Sequence, residues 1–494
     1  MSPAPANARP VRRAMFWSAL IVLLTAGYFR PAWPGWNVNS QLDMTYALVE
    51  RGTLRIDAYH DRQGDELFTN DKAFVGGHFY TDKSPVTPLL GVPAFAAYRW
   101  VADFVPGSFS YAAARYWTTW LTIGLAAALL AAMTTLLLAR LGVAPVTASR
   151  ASALWIAGTP LVAYAVLFFN YLPACAFALG GFMLARRAWS GEPAGKWIFY
   201  LAGVLVGLSV WTLNTVAVLA ILLTVALVSV PAGSLGERWR RLWPWALGGV
   251  TGAAGHFIYV KAIFGTFGSP YAFEHDPEFL AAMGKGLMGA GWPRPLVAWL
   301  ITFSPFQGLF LWWPLTLAAL IGCAWMIARG RRAERVDSIV AVAFLALLIA
   351  YTSGYYMWWG GKAFVPRHLI PAIGILGVGL APLLRDRRAG YAVLALGVIG
   401  AVLNFAPVGL DPQPWVRLDK ELLLRPETVG AWPSVMIFMQ GAVWLGGNIS
   451  PNWGTALGLK GGLSILPLIA MWVVFWIVPL IENASGKNKI QPTD

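Results

Sequence analysis

Long apolar runs recur from one end of this 494-residue chain to the other, and they restrict its fold more than any other feature. Charged residues make up 12% of the sequence, about half the share of a typical soluble domain. So many apolar runs cannot all pack into one soluble core, and they need lipid as a solvent and spans of about 20 residues. The sequence therefore predicts an all-α, polytopic membrane protein.

We predict about 12 transmembrane helices, within a range of roughly 11 to 13. They lie near 14–29, 113–139, 148–168, 172–185, 197–213, 215–230, 244–264, 297–328, 338–352, 367–384, 389–408 and 461–481. The eighth is long enough to be tilted, or broken around Pro305. The apolar stretch 86–102 contains Pro88 and Pro93, so we expect it to be re-entrant or interfacial and not to span.

The distribution of charge tests this arrangement. An even number of spans puts both termini on one side, and the basic N-terminus (Arg9, Arg12, Arg13) predicts that this side is the cytoplasm. Nearly all of the net charge of +14 then falls on the cytoplasmic side, on the termini and the short loops, so it indicates topology and no nucleic-acid partner. The first span lacks a clear small-x-small cleavage site, which favours an uncleaved anchor in the plasma (bacterial inner) membrane.

Two long loops are predicted on the outer side, 30–112 and 411–460, with shorter ones at 265–296 and between spans nine and ten. Because the cytoplasmic loops are too small to hold a folded site, any active site should face the periplasm or exterior. We divide the chain into a module over 1–385, which includes the first loop, and a C-terminal group of helices over 386–494.

The first outer loop begins with an amphipathic segment, "NSQLDMTYALVERGTL", which predicts a helix with Ser40 as its cap and Gly52 as its stop. After it, a Gly-Gly turn at 76–77 predicts a hairpin that pairs "KAFV" with "HFYT". Such a hairpin holds Asp71–Lys72 and Asp82–Lys83 side by side at its open end. This juxtaposition is the first indication of a site.

The carboxylates of this loop are the candidate catalytic residues. Asp43, Asp57 and Asp71 are retained as candidates, while Asp61, Asp65 and Glu66 in "DRQGDE" read as a solvated turn. Lys83 borders an apolar stretch, where its ammonium group can neutralise an anionic lipid headgroup; the alternative is a snorkelling interfacial lysine. Lys72 is a second candidate of the same kind, and His78 reads as a turn residue.

The loop before the tenth span, "TSGYYMWWGGKAFVPRHLIP", supplies a second group of candidates. Arg367 stands at a proline-defined helix start and suits a bidentate phosphate contact, with His368 beside it. An aromatic belt at the membrane interface explains Trp358 and Trp359 without a function. The acidic "FEHDPEF" around Glu274 reads as a solvated loop, and Cys175 and Cys323 as core residues.

The order of these parts resembles the GT-C glycosyltransferases, polytopic enzymes that use polyprenyl-phosphate sugars, such as aminoarabinose transferases and protein O-mannosyltransferases. The resemblance rests on a first span, a large outer loop that opens with a helix, the "DKSP" at Asp82–Pro85, and the "RHLIP" at Arg367–Pro371. It covers the first 215 residues well, is patchy to about 385, and is absent beyond.

The resemblance implies that Lys83 and Arg367 contact the phosphate of the carrier lipid and that an aspartate follows the first span. Here that stretch reads "GWNVNSQLD", with Asn37 and Asn39 first and Asp43 a turn later. An amide cannot accept a proton as a carboxylate does, so Asp43, Asp57 or Asp71 is expected to be the base. The binding set is expected to comprise Lys83, Arg367, Lys72, Asp82, Tyr46 and His368.

The implied reaction transfers a sugar from a polyprenyl phosphate to an acceptor hydroxyl of the cell envelope, on a glycan, lipid or protein, with inversion at the anomeric carbon. A divalent metal is permitted by the outer carboxylates but not required by them. Two alternatives stay open: a lipid or glycolipid transporter or flippase, and a catalytically inactive lipid-binding member. The near absence of ionisable residues at mid-span disfavours coupled transport.

Overall fold

The computed structural model describes residues 8–31, 35–61, 67–105, 107–230, 234–413, 425–431, 435–447 and 449–487. Helices make up 74% of it, and the described residues form a single sheet of two short strands. The expected all-α architecture is confirmed. The turn residues Asp65 and Glu66 lie outside the described ranges.

The helices follow one another through short connections, and many are interrupted close to their ends. In chain order they are α1 Ala8–Tyr28, α2 Trp36–Arg51, α3 Val86–Asp103, α4 Tyr111–Thr119, α5 Leu125–Arg140, α6 Pro145–Ala157, α7 Leu161–Ala165, α8 Tyr171–Ala185, α9 Arg187–Ser190, α10 Lys196–Thr212, α11 Ala217–Ser229, α12 Leu235–Phe264, α13 Pro277–Met283, α14 Pro295–Thr302, α15 Leu309–Trp312, α16 Pro314–Arg329, α17 Arg332–Gly354, α18 Ile370–Leu376, α19 Leu380–Arg385, α20 Arg387–Leu410, α21 Val435–Trp444, α22 Trp453–Ala456 and α23 Leu466–Lys487.

Tighter or wider helical turns connect several of these helices. A π-helical turn, Trp120–Gly124, makes α4 and α5 one continuous helix. The 3₁₀ turns are Asn214–Val216, Pro270–Phe273, Arg367–Leu369, Gly377–Gly379, Pro426–Ala431 and Gly461–Ile465.

Four helical stretches within the described residues are long and apolar enough to cross a membrane: Tyr111–Arg140, Arg332–Gly354, Arg367–Arg385 and Arg387–Leu410. Each coincides with a predicted span. Four further apolar helices are shorter, at Lys196–Thr212, Asn214–Ser229, Pro314–Arg329 and Gly461–Ile477. The chain therefore contains helices suited to a membrane, and the total of twelve spans stays a prediction.

Proline explains where the helices differ from the predicted spans. The eighth predicted span breaks around Pro305, between α14 and α15, as the sequence suggests. The predicted span 148–168 is also interrupted, at the turn containing Pro160 between α6 and α7. The stretch 86–102, predicted to be re-entrant or interfacial, forms the unbroken helix α3. Pro88 is tolerated there because it lies in the first turn, where backbone N–H groups have no helical acceptor, and only Pro93 removes an internal hydrogen bond.

The first loop folds much as its local pattern predicts. Helix α2 ends at Gly52, which has the left-handed conformation (φ 63°) that glycine adopts without steric cost. It begins at Trp36, so Ser40 is a buried interior residue and not the predicted cap; its Oγ lies 2.7 Å from Thr81 Oγ1. Strands β1 Ala73–Val75 and β2 His78–Tyr80 form the predicted antiparallel hairpin, with Ala73 opposite Tyr80.

The hairpin is held between α2 and the C-terminal end of α12. Met44 of α2, Tyr80 of β2 and Phe264 of α12 belong to one small apolar cluster that is separate from the main core. Tyr80 and Phe264 have ring centroids 6.1 Å apart. This packing fixes the open end of the hairpin against the helical bundle.

Helices α10 and α12 run in parallel and approach closely because glycines line their contact. A Cβ atom on Gly248 would lie 2.0 Å from the backbone oxygen of Tyr200, so only glycine fits there. Both helices therefore begin at the same end of the bundle. Helix α17 joins the two ends, since its 23 residues span about 34 Å. We call the end that carries the hairpin and Gly354 the hairpin end, and the end that carries Arg332 the opposite end.

Candidate functional site

The open end of the hairpin brings together the charges that the sequence singled out. Lys83 Nζ lies 3.4 Å from Asp71 Oδ2 and makes a close ion pair with Asp82 Oδ2. Lys83 and Asp82 are buried, whereas the Asp71 side chain keeps 30% of its surface exposed. Asp71 is thus the carboxylate of this group that a ligand can reach.

The loop between α12 and α14 completes this group. Glu274 forms an isolated antiparallel bridge with Ala73, and Glu274 Oε1 accepts a hydrogen bond from the Lys72 backbone N–H at 3.3 Å. The His275 backbone N–H donates to the Lys72 carbonyl at 2.9 Å. Glu274 is buried, so the reading of "FEHDPEF" as wholly solvated is wrong for this residue. The reason is that backbone pairing with β1 pulls the segment inward.

Two aromatic rings of the same loop cover Lys83. Its Nζ lies 5.4 Å from the ring centroid of Tyr271 and 5.6 Å from that of Phe279, both distances typical of cation–π contacts. We call Asp71, Asp82, Lys83, Tyr271 and Glu274 the Lys83 cluster.

Burial and mutual repulsion set the protonation states of the cluster. Burial, assisted by the charge of Asp82, raises the pKa of Glu274 to about 10. Burial alone would lower the pKa of Lys83, but the carboxylates of Asp71 and Asp82 outweigh it and raise that pKa well above its usual value. Near neutral pH the lysine is therefore charged, and Glu274 is protonated.

A proton on Glu274 also explains two atoms that otherwise lack partners. Asp82 Oδ1 and Glu274 Oε2 are buried and have no hydrogen-bond donor within the described parts of the chain. A hydrogen bond from the Glu274 carboxyl group to Asp82 satisfies both, and it opposes the rise that burial causes in the pKa of Asp82. The pair thus behaves as one acid that holds a single proton.

Arg367 lies at the start of the helical stretch that leads into α18. It follows Pro366, is half-buried, and its guanidinium lies 5.7 Å from the ring centroid of Phe169. A Cβ atom on Gly360 would come within 2.9 Å of Arg367 Cγ, and Gly360 has φ 81°, so glycine makes room for this side chain. Arg367 Nε is buried with no hydrogen-bond acceptor among the described residues.

The tryptophans before Arg367 are core residues and do not form an interfacial belt. Trp358 is fully buried and Trp359 nearly so, with Phe306 packed 5.8 Å from the Trp358 ring. They support the loop that presents Arg367. His368 is half-buried, with its ring 5.1 Å from that of Tyr355.

A chain of aromatic contacts connects the Lys83 cluster to Arg367. The Phe279 ring that covers Lys83 is 6.3 Å from Tyr356, which is 4.9 Å from Tyr355, which in turn contacts His368. Burial raises the pKa of Tyr355 well above its ordinary value, and the charges of Arg367 and Lys83 both act against that rise. The two basic residues therefore border one region at the hairpin end.

Lys362 and Asp411 stand at the edge of this region. Lys362 Nζ lies 5.2 Å from the ring centroid of Trp36, and burial lowers the pKa of Lys362 against the charges of Asp411 and Asp71. Burial raises the pKa of Asp411 to about 7, with Lys362 acting in the other direction. Neither residue was among the sequence candidates. Lys362 lies in the loop before the tenth predicted span, where the prediction was drawn from Arg367 and His368, and Asp411 follows an apolar span without a motif.

The remaining candidates have other surroundings. Asp43 is fully buried in α2. Tyr46 is buried one turn on, packed against Phe95 (4.5 Å) and Tyr111 (5.2 Å). The structure thus gives Tyr46 a place in the aromatic core and not in the Lys83 cluster.

Lys72 and Asp57 also contact other groups. Lys72 Nζ lies 2.9 Å from His60 Nδ1, and burial lowers the pKa of both residues. Asp57 is 39% exposed and binds His78 Nδ1 at 3.1 Å and the Phe79 backbone N–H at 2.9 Å. These contacts make Asp57 a local support of the hairpin.

No group of three or more His, Cys, Asp or Glu side chains in the described ranges is arranged to hold a metal ion. Comparison with known proteins adds no family, since no family model matches the chain and no curated protein matches it either. The site is therefore interpreted from its own geometry.

Proposed function

We propose that this protein is an integral-membrane glycosyltransferase that moves a sugar from a polyprenyl-phosphate carrier to a hydroxyl group at the outer face of the membrane. The observation that carries the proposal is the region that Lys83 and Arg367 both border, with the partly exposed carboxylate of Asp71 3.4 Å from Lys83. An anionic leaving group and an activated hydroxyl need this combination of two cations and one accessible base.

Asp71 is the base that the geometry favours among the three sequence candidates. Asp43 is fully buried, and Asp57 is occupied with His78 and the Phe79 backbone. Asp82 is buried and paired with Lys83. Only Asp71 combines partial exposure with a position beside a cation that can hold a phosphate.

In the proposed reaction Asp71 accepts the proton of the acceptor hydroxyl, whose oxygen forms a bond to the anomeric carbon. The bond between that carbon and the carrier phosphate oxygen breaks on the opposite face, so the configuration inverts. Lys83 and Arg367 stabilise the negative charge on the departing phosphate. Their effect is large because aromatic rings exclude water around Lys83.

The proposal includes a membrane topology of about 12 spans with both termini in the cytoplasm. It is supported by the distribution of charge along α17, whose hairpin end adjoins the candidate site and whose opposite end begins among Arg331, Arg332 and Arg335. Basic residues concentrate on the cytoplasmic side of membrane proteins. The candidate site then faces the periplasm or exterior.

The test uses purified full-length protein and labelled polyprenyl-phosphate sugars, and it measures release of the free carrier. We expect Asp71→Asn to lower the rate by about a hundredfold or more, the usual effect of removing a general base. Asp43→Asn and Asp57→Asn should lower it less. Asp103→Asn, an exposed acid on α3, is the matched control and should retain the wild-type rate.

Two results would each select a different function, and a third would change the assignment of the base. Movement of the intact lipid-linked sugar across vesicles without carrier release would indicate a transporter or flippase. Binding without release, in wild type and variants alike, would indicate an inactive lipid-binding protein. Release that is equally fast in Asp71→Asn would exclude Asp71 as the base.

A further inference from the structure

A basic cavity of about 580 Å³ lies at the opposite end of the bundle from the candidate site. It is bordered by α9, α10, α12 and α17. Five basic side chains and two acidic ones line it: Arg187, Lys196, Arg240, Arg241, Arg332, Glu192 and Glu237. The lining thus has an excess of positive charge.

Both acids are already engaged in local contacts. Glu192 lies 3.5 Å from Arg187 Nε, and also pairs with Arg140 at 3.6 Å and with Arg186 at 3.5 Å. Glu237 belongs to a capping box, where its Oε2 accepts a hydrogen bond from the Ser234 backbone N–H at 3.1 Å. Neither acid contacts Arg240, Arg241 or Lys196 within ion-pair distance in the described structure.

Three of the basic side chains, Lys196, Arg240 and Arg241, therefore have no acidic partner among the described residues. Arg241 Nη1 is buried and has no hydrogen-bond acceptor within the described residues. A buried guanidinium N–H without an acceptor is costly, and a phosphate oxygen is the acceptor that arginine pairs with best. The cavity is therefore complementary to a phosphate group.

Exposed tryptophans indicate the depth of the cavity in a membrane. Trp197 at the start of α10 is 74% exposed, and Trp239 in the first turns of α12 is 64% exposed. Trp243 follows Trp239 by one helical turn on α12, and Lys196 Nζ lies 5.6 Å from its ring centroid. Tryptophans favour the level of lipid headgroups, and exposed apolar residues such as Leu201 and Ile221 continue from there towards the hydrocarbon.

We infer that this cavity binds the headgroup of an anionic phospholipid, with the phosphodiester held by Arg187, Arg240 and Arg241. Basic pockets between transmembrane helices are known to hold such headgroups. The inference goes beyond sugar transfer, since the cavity lies about 34 Å along α17 from the candidate site. It relies only on the proposed membrane placement.

The test measures lipid retention by native mass spectrometry of the full-length protein in detergent, with phosphatidylglycerol, phosphatidylcholine or glycerol 3-phosphate added. We expect a one-to-one complex with phosphatidylglycerol and about tenfold weaker binding of phosphatidylcholine. The triple variant Arg187→Gln/Arg240→Gln/Arg241→Gln should bind phosphatidylglycerol about a hundredfold more weakly. This follows from a loss of about fivefold in affinity for each arginine removed.

The matched control removes the same charge from the same end of the bundle but outside the cavity. Arg329→Gln/Arg387→Gln/Arg388→Gln replaces three exposed arginines and should bind phosphatidylglycerol as the wild type does. If the cavity triple fails to fold, the exposed single variant Arg240→Gln should still show about fivefold weaker binding. The inference would be overturned if both triple variants lost the same affinity for phosphatidylglycerol, or if the cavity variants lost none. Glycerol 3-phosphate that binds as tightly as the lipid would overturn the assignment to a headgroup.

Discussion

Two buried ion pairs, one at each end of α17, differ in how completely they are satisfied. At the opposite end, Asp337 Oδ2 accepts from Arg186 Nε at 2.6 Å, and Asp337 Oδ1 accepts from Trp189 Nε1 at 2.8 Å. At the hairpin end, Lys83 pairs with Asp82, but Asp82 Oδ1 and Glu274 Oε2 depend on the one proton that they share, and the Asp71 side chain is 30% exposed.

This difference indicates that the Arg186–Asp337 pair stabilises the fold, whereas the Lys83 cluster can bind a ligand. A buried pair with both oxygens satisfied gains nothing from a ligand, and its removal leaves an uncompensated charge. A cluster whose buried oxygens depend on one shared proton, and which has an accessible carboxylate, pays a desolvation cost that a ligand can relieve. The predictions below test this distinction.

The largest loss of stability is expected at the Arg186–Asp337 pair, whose carboxylate oxygens both have donors. Asp337→Ala removes the buried carboxylate that lies 2.6 Å from Arg186 Nε and leaves Arg186 only the more distant pair with Glu192, at 3.5 Å. It should lower the free energy of unfolding by about 3–5 kcal/mol. Denaturant unfolding in detergent, followed by circular dichroism, measures this loss. The apolar double variant Arg186→Met/Asp337→Leu should recover most of it, since it leaves no unpaired charge. A loss below about 1 kcal/mol in the single variant would contradict a structural role.

A smaller change in stability, one that depends on pH, is expected when Glu274 is replaced. Its pKa is about 10 in the folded protein against 4.5 in the unfolded chain, so the folded state holds the extra proton. Stability is therefore lost as the pH rises from about 4.5 towards 10. Glu274→Gln removes this loss, because the amide donates to Asp82 at any pH.

We expect Glu274→Gln to be more stable than the wild type by about 1–3 kcal/mol at pH 8 and nearly equal to it at pH 4.5. Thermal unfolding across this pH range makes the comparison. Glu278→Gln, an exposed acid in the same loop, should show no such trend. A difference between Glu274→Gln and wild type that stays constant with pH would exclude the shared proton.

The smallest change in stability is expected at the exposed ion pair of Arg99 and Asp103. Arg99 Nε lies 3.3 Å from Asp103 Oδ1 on α3, and the Asp103 side chain is 61% exposed. Asp103→Asn should change the free energy of unfolding by about 0–1 kcal/mol, and less at high salt, because water screens the pair. A change larger than about 1 kcal/mol would show that this exposed pair contributes as much to stability as the buried groups do, which would contradict the ranking.

The sequence predicts local elements well where a short pattern determines them. The helix up to Gly52, the hairpin around Gly76–Gly77 and the break near Pro305 all follow from turn and helix-stop residues within a few positions. One local prediction fails for a physical reason: Ser40 is enclosed by the hairpin and does not cap the helix. The stretch 86–102 forms a continuous helix despite Pro88 and Pro93, and its re-entrant or interfacial placement stays a prediction.

The site was only partly predictable. Lys83, Asp82 and Asp71 could be paired from the hairpin register alone. The contribution of Glu274 could not, because it is 202 residues from Lys72 along the chain and its segment resembles a solvated loop. The one local signal that could have suggested burial is the position of Glu274 between two aromatic residues, Phe273 and His275.

The sequence by itself determined that the chain is helical, apolar and strongly basic, with one polar loop that folds into a helix and a hairpin, because these properties depend on neighbouring residues. Only the tertiary structure decided which charges meet and which of them stay exposed. Helix packing brings Lys83, Glu274 and Arg367 to one end, and burial there raises the pKa of Glu274 enough to keep its proton. Those contacts join residues hundreds of positions apart, and no local pattern specifies them.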